Sequence, residues 1–237
     1  MAICKVGTMK SKLKKCSKIW DRKISAIMKL FVLDLPASKI AEIVCISKNT
    51  AEYRNNYWRE VIYCYQEKEK YELLNWEIEA DESYFWSSRV RWKRWRWAWW
   101  KIKVFGLLKR NGKVYAEIID NVSAKTLLGI IRNKVDKKSE MNTDWRHSYD
   151  GLVDLWYEKH YRVIHSKDEF ARGNQHINWI ESFWSYAKRR LTKFNGVPKH
   201  KFELYLKECE FRFNCWLQKI DMYKLLRKLL KSFILLG

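Results

Sequence analysis

At 237 residues and 47% hydrophobic content, the chain is long and apolar enough for one or two domains with sizeable cores, which excludes a disordered tail. Its 48 lysines and arginines oppose 27 acidic residues, and a formal charge of +21 repels itself in a folded protein unless a polyanion is the working partner. Nucleic acid is the leading candidate and an acidic membrane surface the second, but no run reaches about 18 apolar residues and MAICKVGTMKSKLKK lacks an apolar signal core. No membrane association and a cytoplasmic location are therefore expected. The cysteines Cys4, Cys16, Cys45, Cys64, Cys209 and Cys215 form no CxxC pair and no cluster with histidine. They are expected as reduced thiols, with neither a zinc site nor a disulfide.

From Ile24 to Tyr63 the apolar residues recur at helical spacing. One helix is expected to stop at Asp34-Leu35-Pro36, a second to cover 37–44, and a third to start after a Ser47 cap. Two short helices joined by a tight turn, the second opening SKNTAEYRNN, match a helix-turn-helix that would turn Lys48, Asn49, Thr50 and Arg54 to the major groove. A three-helix packing unit without a DNA role has the same pattern.

After a polar linker near 66–72 the period changes to two. Strands are expected over 78–86, 101–110 and 113–120, with Asn111-Gly112 turning the last two into a hairpin. A helix over 123–135, a short strand ending at Thr143-Asp144, a helix over 148–157, a strand over 161–166 and a long helix over 175–193 follow. This is the element order of a ribonuclease H-like domain, an α/β (α+β) fold with a mixed five-stranded sheet, preceded here by a small all-α domain. The expected boundaries are 1–70 for the helix-turn-helix domain, 71–197 for the catalytic domain and 198–237 for a C-terminal helical extension.

In that order the strands carrying Asp81 and Asp144 are neighbours, so two carboxylates distant in sequence would meet at one edge of the sheet. Oxygen ligands of this kind suit magnesium, and two ions sharing carboxylates can activate a nucleophile and stabilise the leaving oxygen of a phosphodiester. Glu79, Asp81 and Ser83 share one face of their strand, and successive polar residues there suit a cleft better than a core. The long helix HINWIESFWSYAKRRL puts Ile177, Ile180, Trp184, Ala187 and Leu191 on one stripe. Asn178, Glu181 and Lys188 lie on another, with Glu181 and Lys188 within roughly 20° of each other.

EADESYF, VFGLLKRNGKVY, TD at 143–144, VIHS and above all HxNxIExFW from His176 to Trp184, followed by AKRRLTKFNG and FELYLKECEFRFN, resemble the DDE transposases of small bacterial insertion sequences. The similar group is the short ISXO2-like type with an N-terminal helix-turn-helix, and the resemblance runs from about Lys12 to Asn214. It implies DNA strand cleavage and transfer dependent on two Mg²⁺ (or Mn²⁺) ions. Asp81 and Asp144 match the first two catalytic acids, and the third is Glu181 or Asn178, since related enzymes end the triad with either. Glu181 is favoured because a carboxylate neutralises a divalent ion better than an amide. Lys188 matches the cation placed beside the terminal DNA, with Lys93, Arg94, Arg96 and His176 as further DNA contacts. The implied partners are double-stranded DNA bearing terminal inverted repeats, target DNA, and further copies of the chain, a dimer or higher, in a nucleoid-associated bacterial setting. A catalytically inactive DNA-binding derivative of such an element, or a ribonuclease H-like nuclease or junction resolvase, shares the same motifs.

The stretch RVRWKRWRWAWWK at 89–101 departs from that pattern. Similar transposases have a glycine-rich basic loop there, and Trp86, Trp92, Trp95, Trp97 and Trp100 stand at its glycine positions. Trp76 and Trp179 do so elsewhere, and Trp145 and Trp156 fit the same pattern, whereas Trp184 is a tryptophan in the family. With only 8 glycines in the chain, the expectation is that many of these positions are UGA codons decoded as glycine in the source organism. Drift in a decaying copy, or a genuine membrane-active or base-stacking segment, are the competing accounts.

Overall fold

A computed structural model of the chain describes residues 21–69, 72–86, 101–144, 159–163, 177–194 and 196–235. The residues divide into two compact units, one made of 1–68 with 219–237 and the other of 69–218. The stretch 198–237, expected as one extension, is thus shared between them. Among the described residues no helix is long and apolar enough to cross a membrane.

The first unit contains α1 (Asp21–Val32), α2 (Ala37–Val44), α3 (Lys48–Glu69) and, from the far end of the chain, α7 (Met222–Leu235). Pro36 starts α2, and Cys45, in the left-handed region at φ 53°, ends it. Ser47 Oγ then accepts the Thr50 backbone N–H at 3.1 Å and caps α3 as expected. α3 buries Ala51, Arg54, Asn55, Trp58, Val61 and Ile62, a helical stripe on which Trp58 meets Phe31 of α1 at 5.1 Å between ring centroids. Ser25 Oγ of α1 and Tyr223 Oη of α7 are hydrogen-bonded at 2.7 Å.

Two expectations need correction here. Arg54, assigned to the groove-facing surface, is only 4% exposed, because it falls three residues after Ala51 and four before Trp58 on the buried stripe. Lys48 and Asn49 are exposed, while Thr50 is half-buried and hydrogen-bonds Ser47 through its hydroxyl at 2.8 Å. Cys64, expected as a free thiol, is disulfide-bonded, whereas Cys45, Cys209 and Cys215 are free. Sequence spacing does not reveal which sulfurs folding brings together.

The second unit is built on a five-stranded sheet of β1 (Glu77–Trp86), β2 (Lys101–Lys109), β3 (Val114–Ile119), β4 (Glu140–Asp144) and β5 (Lys159–Val163), in the order β3-β2-β1-β4-β5. β1, β2 and β3 pair antiparallel, and β4 and β5 continue the sheet in parallel, which is the ribonuclease H-like arrangement expected from the element order. The Asn111-Gly112 hairpin forms, with Asn111 at φ 55°. Ser123 caps α4 (Ala124–Lys134) by accepting the Thr126 N–H. The expected helix over 148–157 and the tract 87–100 lie outside the described residues.

Alternation along the strands sends side chains to two cores. Ile78, Ala80, Phe105, Leu107 and Met141 pack with Leu127 and Ile131 of α4 on one face. Phe85, Ile102, Val104 and Leu108 pack on the other face with α5 (Asn178–Thr192) and α6 (Lys199–Leu217). α6 also satisfies the edge of β3: Asn214 accepts from the Val114 N–H at 2.7 Å and donates to its carbonyl at 3.0 Å, and Glu210 accepts from the Ala116 N–H at 3.0 Å. Those are backbone groups that an uncovered edge strand leaves unpaired.

Candidate active site

The parallel pairing of β1 with β4 matches Glu77 to Glu140, Ile78 to Met141, Glu79 to Asn142 and Ala80 to Thr143. One step further along both strands come Asp81 and Asp144. Strands in a sheet lie about 4.8 Å apart, so the two aspartates occupy neighbouring positions although 63 residues separate them in sequence. Asp144 is the last residue of β4, and Asp81 is half-buried between the fully buried Ala80 and the 6% exposed Glu82.

Glu79, Asp81 and Ser83 do share a face, but that face packs under α5 instead of opening wholly to a cleft. Glu79 is fully buried. Its Oε2 accepts the backbone N–H groups of Trp179 and Ile180, both at 3.0 Å, while Oε1 accepts from Arg110 Nε at 2.9 Å. The first N–H groups of a helix have no intrahelical acceptor, and a carboxylate there is favoured by hydrogen bonding and by the helix dipole. Ile177, at the N-cap position of α5, offers no side-chain cap, so a strand residue about a hundred positions upstream supplies the acceptor. The expectation that Glu79 lines a cleft is corrected: it anchors the helix.

Two residues along β1 the contact repeats with a different donor. Trp184 Nε1 donates to Asp81 Oδ2 at 3.1 Å. Trp184 is 4% exposed, and its ring meets those of Phe183 and Phe85 at centroid distances of 4.9 and 6.0 Å. Below it is Gly106 of β2, directly opposite Asp81 in the antiparallel register. A Cβ at 106 would lie 2.5 Å from Trp184 Cζ2, so only glycine leaves room for the ring.

α5 is thereby fixed along β1, with its start at Glu79 and its second turn at Asp81. Ile177, Ile180, Trp184, Ala187 and Leu191 are buried as expected, joined by Phe183, and Asn178, Glu181 and Lys188 are exposed. At about 100° and 1.5 Å per residue, Glu181 lies roughly 60° and 4.5 Å from Trp184, Lys188 roughly 40° and 6 Å, and Asn178 roughly 120° and 9 Å. Of the two candidates for the third ligand, Glu181 therefore starts nearer to the Asp81 level. Lys188 Nζ stands 5.9 Å from the Phe85 ring centroid. Among the described residues no three His, Cys, Asp or Glu side chains form a metal cage. Lys93, Arg94, Arg96 and His176 lie outside the described residues, as does the side chain of Asp144.

Gly106 and Arg110 support this site without being candidate functional residues in the sequence. A glycine inside the apolar strand KIKVFGLLK was a signal of close approach, whereas nothing in the sequence marks Arg110 as the partner of a buried glutamate.

The ISXO2-like transposase domain model matches residues 73–214. An uncharacterized transposase-like protein of Haemophilus influenzae is 52% identical over 102 residues, covering 43% of this chain and 81% of that protein. An uncharacterized protein in transposable element ISH50 of Halobacterium salinarum is 30% identical over 84 residues, covering 35% of this chain and 28% of that protein. Among solved structures, a pre-cleavage Mos1 transpososome is similar at 13% identity and a TM-score of 0.38, over 93% of this chain and 81% of that one.

Proposed function

The chain belongs to the ISXO2-like transposases, and we propose that it cuts and rejoins DNA at the ends of an insertion sequence, using the end of the β1–β4 pairing as its reaction centre. The observation that carries this reading is the strand register, which runs to Ala80 and Thr143 and so puts Asp81 beside Asp144. Aspartates at adjacent positions of neighbouring strands would offer an all-oxygen donor set of the kind that suits Mg²⁺ or Mn²⁺. Asp81, Asp144 and Glu181 would hold such ions, with Asn178 the alternative to Glu181. When bound, two of them activate an attacking oxygen and stabilise the leaving one.

The chain's own residues supply the positioning. Glu79 holds the start of α5 against β1, Trp184 packs α5 onto β2 at Gly106, and Lys188, exposed on the same helix, presents a cation to a phosphate. Water is the nucleophile for cleavage, and the freed 3′ hydroxyl is the nucleophile for joining. Lys48 and Asn49, exposed at the start of α3, read the terminal inverted repeats. Two copies of the chain bring two DNA ends together in the bacterial cytoplasm.

The test is strand cleavage and transfer on a DNA carrying the element's ends. Asp81→Asn and Asp144→Asn each abolish both reactions while binding to the ends is kept. Strand transfer at the parent rate in the Asp144→Asn protein contradicts the assignment.

A further inference from the structure

We propose that Trp184 is a positioning residue for metal capture, its indole N–H fixing the plane of the Asp81 carboxylate; this rests on the reading of Asp81 as a metal ligand. An aspartate carboxylate rotates easily about its last torsion, so its oxygens point at a bound ion only if something else holds one of them. Here Oδ2 is held by the Trp184 donor at 3.1 Å.

The donor itself is unusually confined. Phe183 and Phe85 contact the ring, and the Gly106 backbone lies so close to it that a Cβ would approach Cζ2 to 2.5 Å. Gly106 faces Asp81 across the β1–β2 pair, so the floor under the indole and the carboxylate it holds belong to one register step. The helix that carries the ring is pinned two residues earlier on the same strand face, through the Trp179 and Ile180 N–H groups on Glu79. Burial alone requires none of this. A core tryptophan can send its N–H to any carbonyl, whereas this one meets a half-buried aspartate at the step where the pairing of β1 with β4 ends.

The experiment compares Mn²⁺ binding to the full-length parent, Trp184→Phe and a protein carrying β-(3-benzothienyl)alanine at 184, followed by electron paramagnetic resonance of the free ion. Phenylalanine keeps a buried ring and lacks the donor. The benzothienyl side chain keeps the shape of the indole and replaces N–H by sulfur, which separates loss of the hydrogen bond from loss of packing if the phenylalanine protein does not fold. Mn²⁺ affinity should fall about ten-fold or more in both, the usual scale for losing a group that orients a metal ligand. The Mg²⁺ concentration for half-maximal cleavage should rise in step, with DNA binding unchanged. Parent-like Mn²⁺ affinity in the benzothienyl protein overturns the positioning role and leaves the metal site standing. A parent protein that binds no Mn²⁺ overturns both.

Discussion

Trp184 and Trp76 are the same residue type in one unit, and the fold treats them in opposite ways. Trp184 is 4% exposed, has two aromatic neighbours, a glycine against its ring and an aspartate on its nitrogen. Trp76, just before β1, is 75% exposed and sits at φ 81°, a backbone region that bulky residues rarely adopt. Its backbone is nonetheless in use, since its carbonyl accepts the Glu140 N–H at 2.9 Å. At 184 the side chain is what the structure requires, and at 76 the backbone conformation is. That difference supports the reading of 76 as a glycine position. Exposure by itself does not make the distinction: Trp216 is 65% exposed, yet it lies within α6 and meets the Phe213 ring at 5.4 Å.

The comparison breaks most visibly at position 184. Trp184→Ala removes a buried aromatic wedge and should cost about 3–5 kcal/mol of unfolding free energy in denaturant melts. A loss below about 1 kcal/mol would mean that the ring is not part of the packed core. At position 76 the sign reverses and the size shrinks. Trp76→Gly relieves a left-handed conformation and should raise stability by about 1 kcal/mol, measured in the same way. Destabilisation by Trp76→Gly would remove the argument that the backbone there favours glycine. Peptide mass spectrometry of the protein from its source organism sharpens the same point, with a glycine mass expected at 76 and a tryptophan mass at 184.

The sheet order and the adjacency of Asp81 and Asp144 were legible because they follow from element order, and three strands, helix, strand is a long pattern. The exposure of Asn178, Glu181 and Lys188 followed from helical spacing. The anchoring of α5 was not legible. Nothing in EIEADESYF distinguishes a glutamate that will cap a helix from one that will face solvent, because the helix N–H groups it meets lie about a hundred residues away. Arg54 failed for a related reason. A basic residue near the start of a helix looks exposed until the stripe Ala51, Trp58, Ile62 is known to be the buried one. Gly106 was legible in principle, as a glycine in the middle of an apolar strand, but its meaning depends on which side chain lies over it.

The most direct measurement of the central claim, that Asp81 and Asp144 form one divalent-cation site, is Fe²⁺-directed backbone cleavage of the protein, mapped by peptide mass. With added hydrogen peroxide and ascorbate, iron in the place of Mg²⁺ reduces the peroxide to hydroxide and a hydroxyl radical, ascorbate returns the iron to Fe²⁺, and the radicals cut the chain close to the metal. The account predicts cuts beside Asp81 and beside Asp144 in the same sample, both lost in Asp81→Asn and both suppressed by excess Mg²⁺. Cuts at only one of the two strands, or cuts that persist in Asp81→Asn, would contradict it.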